Sequence, residues 1–204
     1  FMLITNRKQG HFRLFTKGSL IMFRKFYVAV VALSLICTTA MGAYAAAPSQ
    51  IDEKIPHQLE FSDQNGHVAG FDALKGEKGL VVFFVRSADW CPFCKKQMQD
   101  FAEYYPKFKA LGYEVVSVSY DSVATLKKFS DEKNIPYKML SDERSKSIMA
   151  FGILNDKYEA GSRFFGIPHP TIYVINAEGN ITHMFSEDGY KNRPPIAGIL
   201  RAIE

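Results

Sequence analysis

Two cysteines three positions apart, Cys91 and Cys94, are the side chains of this sequence whose type and spacing best suit chemistry. They lie in Ser87-Ala88-Asp89-Trp90-Cys91-Pro92-Phe93-Cys94, directly after the apolar, β-rich run Leu80 to Val85 and before a helical pattern reaching about Leu111. A buried strand that feeds a helix there sets Cys91 at the helix's amino end. Unpaired N–H groups and the positive end of the peptide dipole favour a thiolate over a thiol at that place. A free thiol titrates at about 8.5, and pairs so placed reach roughly 3.5–7.5. Cys91 is therefore expected to be the solvent-open nucleophile that attacks a disulfide, and Cys94, one turn inward, to resolve the mixed disulfide. Pro92 suits the first helical turn, where its missing N–H would have been unpaired anyway. Lys95 and Lys96 add positive charge but are expected to point to solvent.

Three plainer uses of the pair compete. A purely structural disulfide would close too short a loop to remove much chain entropy. Half of a zinc site would want a second pair of ligands, and only scattered histidines are present. Two buried cysteines could also fall together by chance. The apolar strand in front and Trp90 beside the pair favour the reactive reading.

The surrounding pattern supplies a scaffold. Gln58 to Ser62 and His67 to Phe71 flank Asp63-Gln64-Asn65-Gly66, a strong turn signal for an N-terminal β-hairpin. Leu80 to Val85 reads as a central strand buried on both faces. The following helix should kink at Pro106. Gly112 ends it, and Tyr113 to Ser119 forms the second central strand. Ser122 to Lys133 is helical with Ser122 as N-cap, Tyr137 to Leu140 a short strand, and Asp142 to Phe151 a short helix. Pro170 to Asn176 and Asn180 to Phe185 make an antiparallel hairpin, and an amphipathic helix follows Pro194-Pro195. The order predicts an α/β fold with a mixed sheet and helices on both faces.

Charge and composition exclude other classes. Hydrophobic residues are 47% and charged residues 23% of the chain, as in ordinary globular proteins. Six of the 25 basic residues and none of the 21 acidic ones fall within residues 1–45, which leaves residues 46–204 at a formal −2. No nucleic-acid-binding face is expected from such a body. Met22-Phe23-Arg24-Lys25, the apolar run Phe26 to Ile36 and Ala43-Tyr44-Ala45 follow the order of a secretory signal. The expected division is an upstream extension over 1–21 that precedes the true start at Met22, a signal peptide over 22–45, a lead-in over 46–57 and one domain over 58–204. Cleavage near Ala45 would remove Cys37 and leave Cys91 and Cys94 alone in a periplasmic protein. An uncleaved segment anchoring the chain to a membrane is the alternative.

Val81 to Met98 (VVFFVRSADWCPFCKKQM) resembles the active-site strand, loop and helix of the thioredoxin superfamily, and its redoxin branch (alkyl hydroperoxide reductase/thiol-specific antioxidant-like) in particular. Leu140-Ser141-Asp142, Phe151-Gly152-Ile153 and Gly166-Ile167-Pro168-His169-Pro170-Thr171 continue the likeness over most of residues 58–204. The resemblance implies a thioredoxin-like three-layer α/β/α sandwich, with Pro170 as the cis-proline facing the pair and His169 before it. Trp90, Pro92 and Phe93 would be active-site neighbours. It also implies thiol–disulfide oxidoreductase activity without a bound cofactor, acting on disulfide-containing or thiol proteins and regenerated by an external redox partner. Two rivals use the same cysteines: a thiol-dependent peroxidase, and a module holding a soft metal ion. Departures weigh against the peroxidase. The Pro-x-x-x-Thr-x-x-Cys element of peroxiredoxins would need Pro and Thr where Phe84 and Ala88 stand before Cys91, or where Ser87 and Cys91 stand before Cys94. Their arginine is replaced at Pro170, leaving Arg86 and Arg163 as substitutes. Thioredoxin's buried Asp is Val85 here, so the proton acceptor for Cys94 is unassigned, with Asp89 expected in the exposed loop.

Overall fold

A computed structural model describes residues 48–56 and 60–204. The expected extension over 1–21, the signal over 22–45 and the start of the first hairpin strand lie outside the described residues. In chain order the elements are β1 (Phe61–Asp63), β2 (Val68–Ala69), α1 (Phe71–Leu74), β3 (Gly79–Phe84), α2 (Pro92–Ala110), β4 (Tyr113–Ser119), α3 (Val123–Lys133), β5 (Lys138–Ser141), α4 (Lys146–Ala150), β6 (Thr171–Asn176), β7 (Ile181–Ser186) and α5 (Ile196–Ile203). Seven strands form one sheet in the order β2-β1-β5-β4-β3-β6-β7. β3, β4 and β5 run parallel, while β6, β7, β1 and β2 pair antiparallel at the two sides. This is the expected mixed sheet.

The period-two alternation of β3 makes the two cores. Val81 and Phe83, with Val85 just beyond the strand, join Met98, Phe101 and Phe108 of α2, Leu126 and Phe129 of α3, and Ile199, Leu200 and Ile203 of α5. Leu80, Val82 and Phe84 join Leu74, Ile148, Phe151 and Tyr173 in the other cluster. Phe83 stacks on Phe101 with ring centroids 4.1 Å apart and planes at 8°. That contact ties the strand in front of the cysteines to the helix behind them.

Local chemistry explains the boundaries. Ser122 caps α3, its Oγ accepting from the Thr125 N–H, as the sequence predicts. Asp142 accepts from the N–H groups of Ser147 and Ile148 and so fixes the start of α4. That start is later than the expected Asp142, because the capping carboxylate lies outside the helix it caps. Phe71 opens α1 instead of ending a strand, so the hairpin is shorter than its turn signal suggested. α2 continues through Pro106 as one helix.

Candidate functional site

Cys91 is the N-cap of α2, with extended backbone, and its Sγ accepts from the Cys94 N–H at 3.3 Å. Pro92 occupies the first turn, as expected. Cys91 and Cys94 are joined as a disulfide with Cα atoms 5.3 Å apart. The pair is thus placed where the sequence set it. Its exposure is not: Cys91 is 1% exposed and Cys94 0%. The expectation of a solvent-open Cys91 is corrected for this oxidised form, in which both sulfurs belong to the core cluster containing Val85, Ala88 and Met98. Outside them stand Phe93 and Tyr190, whose rings meet edge-on at 5.9 Å and which are both partly exposed.

Tyr190 belongs to the strap between β7 and α5, and the same strap brings the residue that the sequence reading missed. Arg193 reaches Cys94 Sγ with Nη2 at 3.5 Å. Its Nε donates to Gln97 Oε1 at 2.7 Å, and its Nη1 donates to the carbonyls of Tyr190 and Asn192. Burial, and then the charge of Arg86, lower the Arg193 guanidinium to about 10, so it stays a cation near neutrality. Arg193 lies 99 residues from Cys94 in the chain, and no local pattern marked it. The cation that reaches a sulfur is therefore Arg193 and not one of the two substitutes, Arg86 and Arg163, that the sequence offered.

Of the two substitutes named from sequence, Arg86 is at the site and Arg163 is not shown there. Arg86 is 6% exposed and packs on the rings of Trp90 (4.8 Å) and Tyr190 (4.5 Å). Arg163 packs on Phe164. Trp90 is held by its Nε1 donating to the Tyr120 hydroxyl at 2.9 Å and by edge contact with Phe164. Asp89 is exposed in the loop, as expected. The buried carboxylate of the region is Asp121, just beyond β4. It accepts from Ser87 Oγ, the Ala88 N–H and Ser119 Oγ at 2.7–2.8 Å and so fixes the loop leading to Cys91. Burial raises its pKa, against the pull of those donors. No described hydrogen bond joins it to either sulfur.

His169 and Pro170 border the cleft that also contains Arg86 and Tyr190. The His169 N–H donates to the Ile153 carbonyl at 2.7 Å, and its half-exposed ring lies 3.7 Å from Asp156. No described contact brings that ring to a sulfur. Among the described residues no group of three or more His, Cys, Asp or Glu is placed to hold a metal ion.

Comparison with known proteins places this geometry. The model of the AhpC/TSA family matches residues 51–184. The chloroplastic peroxiredoxin Q of Triticum aestivum is 29% identical over 150 residues, which are 74% of this chain and 65% of that protein. Peroxiredoxin bcp1 of Schizosaccharomyces pombe is 35% identical over 103 residues, 50% of this chain and 52% of that one. The chain thus spans just under two thirds of the first of these relatives. Among solved structures, peroxidoxin BcpB of Mycobacterium tuberculosis superposes with a TM-score of 0.64 at 22% identity, covering 76% of this chain and 96% of that one. The bacterioferritin comigratory protein of Xanthomonas campestris gives 0.58 at 25% identity, covering 71% and 87%. The thioredoxin-like fold is confirmed. The periplasmic assignment is overturned: peroxiredoxin Q relatives from several plants are chloroplastic proteins. The segment of the membrane-anchored alternative lies outside the described residues. Among the described residues no helix is long and apolar enough to cross a membrane.

Proposed function

The chain belongs to the AhpC/TSA family, and from that premise we propose that it is a thiol-dependent peroxidase, with Cys91 attacking the hydroperoxide and Cys94 resolving. The observation that carries this reading is the Arg193 guanidinium 3.5 Å from Cys94 Sγ, beside a helix start capped by Cys91. Breaking an O–O bond puts charge on the departing oxygen, and a fixed cation or donor is what stabilises it. The relatives named peroxiredoxin Q and bcp1 support the same reading.

The electrons balance as follows. The Cys91 thiolate attacks one peroxide oxygen, the O–O bond breaks, and the alkoxide or hydroxide leaves and takes a proton, while Cys91 becomes a sulfenic acid. The Cys94 thiolate then attacks Cys91 Sγ and expels hydroxide, which leaves as water, forming the Cys91–Cys94 disulfide. An external thiol or thiol protein returns the two electrons, and no bound cofactor is needed. Thiol–disulfide exchange with a protein substrate is the second reading, supported by the same N-cap placement and by the disulfide itself.

Trp90, the one tryptophan of the chain, makes the test direct. Reduced protein mixed rapidly with hydrogen peroxide or an alkyl hydroperoxide should change its fluorescence on the order of a hundredfold faster than a free cysteine thiolate reacts. Cys91→Ser should abolish the change, and Cys94→Ser should stop at a sulfenic acid that a dimedone probe captures. A rate no faster than free thiolate, with insulin disulfides reduced readily, would replace the peroxidase by the exchange reading.

A further inference from the structure

The proposed cycle leaves Arg86 unused, and its surroundings are unusual for a guanidinium. It is 6% exposed, its Nε is buried without a hydrogen-bond partner, and among the described residues no carboxylate lies within ion-pair distance of it. Its described side-chain hydrogen bond is a long one, Nη2 to the Tyr158 hydroxyl at 3.5 Å. The Trp90 and Tyr190 rings compensate through its π face. They leave its N–H groups with no described acceptor but the distant Tyr158 hydroxyl, and a guanidinium's N–H groups can take a carboxylate in two parallel hydrogen bonds. An unpaired buried cation of this kind is costly to keep in a fold that has no use for it.

That guanidinium borders an open cleft of about 690 Å³. Lys157, Tyr158, His169 and Pro170 contribute to its walls. The volume is in the range of sites for small organic ligands. Glu187 and Asp188 also border the cleft, but both are exposed and neither pairs with Arg86 among the described residues. The cysteines are joined as a disulfide, and Arg86 has no carboxylate partner among the described residues. The ligand that meets the oxidised enzyme is its reductant, whereas a hydroperoxide meets the reduced one.

We propose that Arg86 and this cleft form a binding site for a carboxylate-bearing, low-molecular-weight thiol that re-reduces the Cys91–Cys94 disulfide. The proposal rests on the redox reading of the pair and goes beyond it in naming the class of electron donor. Neither sulfur lines the cleft, and Cys91 is 1% exposed. With the carboxylate held on Arg86, the donor's thiolate therefore attacks Cys91 Sγ once the Phe93–Tyr190 contact beside the cleft yields. The Cys91–Cys94 bond breaks, and Cys94 leaves as a thiolate against Arg193. A second thiolate attacks the donor sulfur of the mixed disulfide, forming the donor's own disulfide and releasing the Cys91 thiolate. Two thiols are oxidised, and the pair gains two electrons.

The test uses full-length protein oxidised with diamide, so that it proceeds whether or not hydroperoxide reacts. Reduction is followed at neutral pH by Trp90 fluorescence and by counting free thiols. The donors are 3-mercaptopropionate and its methyl ester, with rates compared per thiolate. A hydrogen bond to a charged group contributes about 1.5–3 kcal/mol, so the acid should be favoured about tenfold or more. In Arg86→Met that ratio should collapse to about one, and Arg86→Lys should restore part of it. With wild-type protein alone, butyrate should inhibit the acid saturably and spare the ester. A ratio near one in the wild type, a ratio retained in Arg86→Met, or butyrate without effect would each overturn the proposal. A failed peroxidase reading shows instead as a slow reaction of the reduced protein with peroxide.

Discussion

The residues that decide what the pair can do are charged groups held away from water. Arg193 and Arg86 place two cations about the cysteines, and the charge of Arg86 helps to lower Arg193 to about 10. Asp121 holds the loop from the opposite sign of charge. Removing its carboxylate as Asp121→Ala leaves the Ala88 N–H and two serine hydroxyls without their acceptor, at a cost of about 1–3 kcal/mol. Asp121→Asn keeps one oxygen and should cost less. The two variants also separate in pH. Burial raises the Asp121 pKa in the folded protein, with a smaller contribution from Asp89. A folded value above the unfolded one, about 3.9, means that the folded state binds the proton more tightly. The stability so gained is complete below the unfolded value and is lost as pH rises through the folded one. Measured by urea unfolding from pH 3.5 to 7, the wild type should therefore hold its largest advantage over Asp121→Asn at the acid end. An advantage that grows with pH would contradict this.

At the scale of elements, period and punctuation carry most of the fold. β3 was legible as a continuous apolar run, because a strand covered on both faces has no polar side to alternate with. α3 was legible from Ser122, whose capping bond is local. The short pieces were not: α1 has four residues and β2 two, and tertiary packing of Leu74 and Phe71 decides them more than propensity does. Gly79 marks the limit of reading punctuation as loop. It closes the polar stretch Lys75-Gly76-Glu77-Lys78, yet it pairs with Tyr113 on one side and Asn176 on the other. Its φ is +145°, and a Cβ there would run into the Ile175 carbonyl and approach the Asn176 Cα at 2.9 Å. Gly79→Ala should cost about 2–3 kcal/mol, because the β3–β6 ladder must part to admit a methyl group. Gly66 also has a positive φ, +81°, but open space where its Cβ would lie. Gly66→Ala should therefore cost only the backbone penalty, about 1 kcal/mol. Equal losses in the two variants would show that conformation, and not the close approach of β6, sets the cost.

Across the whole molecule, the site is a meeting of segments that sequence cannot bring together. The Trp90–Cys94 segment was legible because strand, turn and helix start are contiguous. Asp121 sits at the end of β4, and Arg193 and Tyr190 come from a strap anchored by β7 and by the buried Ile199, Leu200 and Ile203 of α5. These contacts depend on where α5 docks, and no spacing in the chain encodes that. The same docking explains why Cys91 is covered although it ends a helix. Tyr190 lies against Phe93 at the helix start and against Arg86 behind Trp90, so the strap closes over the pair from one side. If the strap is what shields the sulfurs, loosening it should open them without unfolding the core. An aromatic pair and a cation–π contact are each worth about 0.5–1.5 kcal/mol. Tyr190→Ala should accordingly raise the rate at which iodoacetamide alkylates Cys91 in reduced protein by about tenfold. The loss of global stability in urea should stay within the ~1–3 kcal/mol that these two contacts are worth, since the ring is 45% exposed. An alkylation rate unchanged from wild type would mean that Phe93 and the core around Val85 and Ala88, and not the strap, keep reagents from the thiol.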